Sequence, residues 1–143
     1  MAQRQQFSTF FIGNLFFGIE VEKVQEVLRY QEMTRAPLAP PRVRGLINLR
    51  GQIVTAIDLR CQLGLNELPA SQLPVNVVVR TQDGGVSLLV DKIGDVVEAE
   101  ESTFERPPDT LASSARAIIR GVHKLSGRLM HVLDTERATG LGT

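Results

Sequence analysis

The stretch Val43-Arg44-Gly45-Leu46-Ile47-Asn48-Leu49-Arg50-Gly51-Gln52-Ile53-Val54-Thr55-Ala56-Ile57-Asp58 decides the fold, because the chain contains it twice. It returns as Ile119-Arg120-Gly121-Val122-His123-Lys124-Leu125-Ser126-Gly127-Arg128-Leu129-Met130-His131-Val132-Leu133-Asp134. Gly45 and Gly121, Gly51 and Gly127, and Asp58 and Asp134 each lie 76 residues apart, and the apolar positions between them mostly stay apolar. A unit repeated in constant register implies two copies of one small module. The alternation on either side of Arg50-Gly51 and Ser126-Gly127 makes each copy a β-hairpin. Gly51, Gly121 and Gly127 together with Asp58 and Asp134 are therefore expected to build the fold. The aspartates fit helix N-caps or turns at the same point of each copy.

Working outward, Phe7 to Ile12 and Leu15 to Val21 read as a hairpin turning at Gly13-Asn14. Lys23 to Leu28 is too short to distinguish a helical turn from a strand. Thr34 to Pro41 is a proline-bearing connector, and its Pro37 to Pro40 spacing is read as a stiff lead into the next strand. Asp58 is expected to cap a short helix over Leu59 to Leu63, ended by Gly64. Residues 66–72 form a linker. Val75 to Thr81 and Val86 to Val90 then pair across Asp83-Gly84-Gly85, and Asp91 to Val96 echoes Glu22 to Val27. Ser102 to Ala117 reads as a polar loop, and residues 137–143 as a frayed tail with no final helix.

The expected architecture is mainly β with short helical segments. One domain spans 7–135, with a first barrel over about 7–65 and a second over about 73–135. Halves of this size are marginal alone, so they should pack on each other, and closure into barrels removes the open strand edges.

Composition excludes several functions. The 143 residues carry 16 basic and 16 acidic side chains, so no excess positive charge exists to hold a nucleic acid backbone. Cys61 is the single cysteine, which precludes an internal disulfide and suits a reducing, cytoplasmic setting. The apolar run Phe10 to Ile19 is interrupted by Asn14 and followed by Glu20 and Glu22, so it reads as strand and not export signal or membrane insertion. His123 and His131 flank the second hairpin without the third or fourth ligand a metal site needs, so no metal or cofactor is expected. A small β-barrel enzyme using those two histidines is the alternative from another class. No nucleophile elbow, phosphate-binding loop or zinc-protease motif occurs. The expected function is binding, without catalysis.

Gly45-Leu46-Ile47-Asn48-Leu49-Arg50-Gly51-Gln52-Ile53 with Ile57-Asp58-Leu59-Arg60 resembles the G-V-I-N-L-R-G-x-I-x-P-V-I-D-L-R signature of CheW-like domains. Phe17 to Val21, Lys23 to Val27, Thr34 to Pro40, Leu89-Val90-Asp91 and Gly121 to Asp134 resemble other segments of that family. The resemblance implies two five-stranded SH3-like barrels related by a pseudo-twofold. It also implies an adaptor that couples the cytoplasmic tip of methyl-accepting chemoreceptors to the regulatory domain of a CheA-type histidine kinase. Val24, Glu26, Arg44, Gly45, Asn48, Leu49 and Arg50 fall on or beside the matching motifs and are the expected receptor or kinase contacts. Within this set Val24 and Leu49 supply apolar surface, and Glu26 and Arg50 are a candidate ion pair. Thr55 replaces the family's usual proline and Ser87 a common glycine, which leaves room for a CheW-like scaffold of a different chemosensory or surface-motility pathway.

Overall fold

The computed structural model describes residues 3–82 and 84–140, so Asp83, at the expected glycine-rich turn, lies outside the described residues, as do residues 141–143 of the tail. Among the described residues, eleven strands are interspersed with short helical pieces. The first half contributes β1 (Arg4–Ile12), β2 (Leu15–Glu20), a 3-10 turn (Val21–Lys23), β3 (Val24–Leu28), β4 (Val43–Leu49), β5 (Gln52–Asp58) and α1 (Leu59–Gln62). The second contributes β6 (Val75–Thr81), β7 (Gly84–Val90), β8 (Lys92–Glu100), a 3-10 turn (Glu101–Thr103), β9 (Phe104–Glu105), α2 (Ser113–Arg116), β10 (Ile119–Leu125), β11 (Arg128–Leu133) and α3 (Thr135–Thr139).

The strands form two sheets, in the orders β8-β1-β2-β11-β10-β9 and β3-β6-β7-β5-β4. Each sheet rolls on itself through its edges. β8 and β9 lie at opposite edges of the first sheet, yet only the three-residue turn Glu101–Thr103 separates them in the chain. In the second sheet β3 is one edge, and the chain returns from it to the other edge at Thr34, which bridges Leu46 of β4. Position for position, β3-β6-β7-β5-β4 repeats β8-β1-β2-β11-β10 with the two halves of the chain interchanged. The result is two five-stranded barrels, with β8 and β9 acting as one bent strand.

Neither barrel is made from one half of the chain, so the boundaries 7–65 and 73–135 do not describe them. Each takes a hairpin from one half and three strands from the other. The joins are the parallel pairs β2 with β11 (His131 opposite Phe17) and β5 with β7 (Ile57 opposite Leu88). Parallel neighbours cannot be joined by a tight turn, so these pairs must come from distant chain segments. The exchange also meets the size problem. A single apolar cluster runs from Phe10, Phe17 and Ile19 through Ile57, Val77 and Leu88 to Ile119 and Leu133, and both halves contribute to it. Smaller clusters fill each barrel separately, around Phe7, Phe16, Met130 and Val132 in the first and Ile47, Ala56 and Leu89 in the second. A 60-residue half would bury too little alone, whereas exchanged halves share one core.

Two local expectations change. The stretch 102–117 is not a featureless loop; it carries β9 and α2, with β9 paired to β10 at His123 and Val122. The chain beyond Asp134 continues into α3, because the Asp134 carboxylate accepts the Arg137 amide at 3.1 Å and Ala138 packs into the shared core. Asp58 caps α1 in the same way, accepting the amides of Arg60 at 2.9 Å and Cys61 at 3.4 Å. Both aspartates thus satisfy amides that a helix start leaves without an intrahelical partner.

Candidate functional site

The β4–β5 turn presents Arg50 and Gly51 in the left-handed region, with φ of +50° and +86°. Arg50 is the only non-glycine residue with positive φ among the described residues. That conformation is costly for a residue with a Cβ. It is held by Asn48, whose Oδ1 accepts the Gly51 amide at 3.0 Å. The guanidinium then reaches across the mouth of the rolled sheet to Glu26 on β3, with Nη1 to Oε2 at 2.7 Å and Nη2 to Oε1 at 2.6 Å. This forked pairing fixes both the distance and the plane of the two groups. It holds the Glu26 carboxyl below its ordinary range and raises Arg50, in both cases chiefly through the hydrogen bonds between them.

The neighbouring backbone re-aims Glu26. The pairing of β3 with β6 slips by one residue between Val24 and Glu26, a bulge that kinks the strand at this point. Arg80 braces the bulge by donating to the carbonyls of Glu22 at 2.9 Å and Val24 at 3.1 Å. Val24 is half-buried against the shared core, and Leu49 against the small core of the second barrel. Val27 and Ile53, beside the ion pair in sequence, are exposed apolar side chains. The arrangement is a forked charged clamp with apolar side chains near it on a barrel rim.

Arg44 and Gly45 stand elsewhere. β4 is seven residues long, which puts Arg44 roughly 20 Å from the Arg50 turn at about 3.3 Å per residue. Arg44 Nη2 binds Asp58, the α1 cap, and its Nη1 lies 3.4 Å from Glu67. These bonds, that to Asp58 foremost, raise the Arg44 pKa. With Arg60, Asp91, Tyr30, Met33 and Leu73 it lines a cavity of about 230 Å³. Gly45 lets the connector approach: a Cβ there would sit 2.7 Å from the Thr34 carbonyl oxygen. Gly121 does the same under β9, where a Cβ would lie 2.5 Å from the Glu105 oxygen. Gly45 thus closes a barrel, and the expected contact set divides into a clamp end (Val24, Glu26, Asn48, Leu49, Arg50) and a cavity end (Arg44).

Sequence reading missed a second junction. The Asp91 carboxylate accepts Arg60 Nε at 2.8 Å, Arg60 Nη2 at 2.7 Å and the Gly13 amide at 2.6 Å. It ties the β1–β2 turn of the first barrel to α1 and β7 of the second. Burial pushes the Asp91 pKa up, but Arg60 and the Gly13 amide outweigh it and leave it lowered. The Leu89-Val90-Asp91 match marked the residue, but no spacing rule links it to Arg60. Ser87, the departure from glycine, is fully buried and donates to Asn76 Oδ1 at 2.7 Å, while Asn76 Nδ2 donates to the Arg29 carbonyl at 3.1 Å. Its hydroxyl is therefore paired, as a buried polar group must be. Thr55 sits mid-strand on β5, opposite Leu46 and Val86.

The two histidines do not face each other. His123 lies opposite Met130 and His131 opposite Val122, so alternation points them to opposite sides of the hairpin. His123 Nδ1 meets Thr103 Oγ1 at 2.8 Å, and His131 Nδ1 meets the Phe16 carbonyl at 2.9 Å. Among the described residues no cluster of three or more His, Cys, Asp or Glu could hold a metal, and no helix is long and apolar enough to cross a membrane.

The chain matches the model of the CheW-like domain over residues 6–140. It is 30% identical to the chemotaxis protein CheW of Klebsiella aerogenes over 133 residues, 93% of this chain and 80% of that protein. It is 30% identical to the CheW of Bacillus subtilis over 125 residues, 87% of this chain and 80% of that one. Protein PilI of Pseudomonas aeruginosa is 28% identical over 113 residues, 79% of this chain and 64% of that protein. The crystal structure of the scaffolding protein TtCheW from Thermoanaerobacter tengcongensis superposes with a TM-score of 0.82 at 25% identity, covering 92% of this chain and 89% of that one. Exchanged barrels, capped repeats and a match across nearly the whole chain agree: the chain belongs to the CheW-like family, whose members are scaffolds of chemosensory signalling and not enzymes.

Proposed function

We propose that this protein is a cytoplasmic adaptor that couples the cytoplasmic tips of chemoreceptors to the regulatory domain of a CheA-type histidine kinase. The observation that carries the reading is the Arg50–Glu26 clamp, since a strained, asparagine-braced turn holds a forked ion pair at the exposed rim of the second barrel. A helical receptor tip could lay its apolar face against Val27 and Ile53 while the fixed charges set its register. The shared ancestry with CheW proteins supports both the partner classes and the scaffold role.

The test is co-purification of the protein with a receptor-tip fragment and with the kinase regulatory domain from its own genome. Retention of both supports the proposal, and retention of neither rejects it. The match to PilI favours a second reading within the same class, a scaffold serving another chemosensory output. Retention of a partner pair encoded beside a different motility system, with no binding to the flagellar set, would establish that reading instead.

A further inference from the structure

The repeat supplies an internal control for one buried group. Where the second barrel closes, the connector residues Met33 and Thr34 lie over β4, and Ile47 fills the interior beneath them. Where the first barrel closes, Phe104 and Glu105 of β9 lie over β10, and the position 76 residues on from Ile47 is His123. A titratable ring thus occupies a place that an aliphatic side chain holds in the other copy. His123 is 4% exposed and wedged between Phe7 and Phe104, with ring centroids 5.3 and 5.2 Å away.

Its tautomer follows from the hydrogen bonds. The Thr103 hydroxyl donates to the Glu100 carbonyl at 2.9 Å, so toward His123 Nδ1, at 2.8 Å, it can only accept. The proton therefore sits on Nδ1, and acid would add the second proton at Nε2. That cation would form among apolar rings and beside a cavity whose charged groups are Arg4 from β1, Arg120 from β10 and Glu101 from the 3-10 turn. Arg120, which lies 3.6 Å from Glu20, repels it. Arg4 is offset by its ion pairs to Glu98 and Glu100 of β8, and Glu105 of β9 by its pair with Lys124 of β10. Glu101 attracts it, but that side chain is exposed and screened by solvent. The Phe7 and Met130 side chains that face it from β1 and β11 carry no charge. Burial, and secondarily Arg120, lower the His123 pKa from 6.5.

We propose that His123 is an acid-sensitive latch: its protonation releases the segment 101–105 from β10 and opens the first barrel, while the second barrel, latched on Ile47, stays closed. The segment is suited to separate opening. β9 has only two residues, both exposed, and its pairing to β10 involves only Val122 and His123. The sign is set by linkage. A histidine with a lowered folded pKa keeps its full contribution above about 6.5, and the contribution falls as pH drops below that value toward the folded pKa.

The experiment is an NMR titration of the whole protein from pH 8 to 5, reading the His123 ring and the amide exchange of residues 103–105 corrected for intrinsic rates. The expected result is a His123 midpoint below 6.5, with exchange at 104 and 105 rising by up to about tenfold per pH unit between about 6.5 and that midpoint and levelling off below it, and exchange at Thr34 and Leu46 unchanged. The variant His123→Ile, which copies the other barrel, should abolish the step. A flat exchange profile in the wild-type protein as His123 titrates would overturn the latch, whether or not the variant folds. So would an identical step in a folded His123→Ile protein.

Discussion

The two hairpin turns of the repeat share a backbone and differ in what they hold. Gly51 and Gly127 have φ of +86° and +84°, and each turn ends a strand pair with the same register. At the β4–β5 turn Arg50 crosses to Glu26 and clamps the rim with charge. At the β10–β11 turn the matching positions are Ser126 and, on β8, Asp95, and Arg128 instead lies over the Phe16 ring, 3.9 Å from its centroid. One turn carries a forked arginine–carboxylate pair; the other carries an arginine stacked on aromatic rings, with the single-contact pair Lys124–Glu105 at 3.0 Å beside it. The two turns are equivalent scaffolds, and among the described residues the forked Arg50–Glu26 pair has no counterpart at the β10–β11 turn. Structural residues should therefore behave alike in the two copies, and recognition residues should not.

The glycines at the closures give the largest expected effect and should give it equally. Gly45→Ala and Gly121→Ala each force a Cβ against a carbonyl oxygen, which should cost about 1–3 kcal/mol in urea unfolding. A large effect at one and none at the other would break the equivalence of the barrels.

Asp91 tests a feature without a counterpart, since the residue matching Arg60 is Glu136. Asp91→Ala should cost about 1–2 kcal/mol, at the lower end for a charge-assisted network because solvent reaches the pair. Glu22→Ala, at the echoing position, should stay within about 0.5 kcal/mol. Asp91 has a lowered folded pKa, so its contribution is complete above about 3.8 and is lost as pH falls below that value. Asp91→Asn should accordingly flatten the acid limb of the stability curve below pH 4, as followed by thermal melts.

The helix caps should differ by a smaller margin. Asp58→Ala removes a cap and a partner of Arg44, at about 1–2 kcal/mol, whereas Asp134→Ala removes a cap bonded to one amide, at about 0.5–1 kcal/mol. Equal losses would mean that the Arg44 contact and the second capped amide add no more than the 3.6 Å contact of Arg137 with Asp134.

Much of this was legible in the chain because repetition and local chemistry are visible in sequence. The constant spacing of Gly51 and Gly127 gave the two modules, and the recurrent aspartates gave the cap of α1 and marked Asp134 as a cap or turn. The exchange of strands was not legible. A repeat says that two segments are alike but not which segments pair, and parallel pairing of Phe17 with His131 leaves no turn between them to detect. The α3 helix was obscured because Gly140 and Gly142 suggested fraying, although Asp134 already marked its start. At the site, Glu26 and Arg50 could be read as a pair, whereas the bonds of Asp91 to Arg60 and Gly13 depend on two barrels meeting. Gly45 entered the contact set by motif and proved to be a closure point, which only the approach of Thr34 reveals.

The central claim is that recognition lies on the clamp rim and not on its pseudo-symmetric twin. Titration calorimetry of a receptor-tip fragment against Arg50→Glu and Ser126→Glu, both confirmed as folded, tests it directly. The account predicts that Arg50→Glu weakens binding by about tenfold or more, while Ser126→Glu binds as the wild type does. Equal loss from both variants, or wild-type affinity in Arg50→Glu, would contradict it.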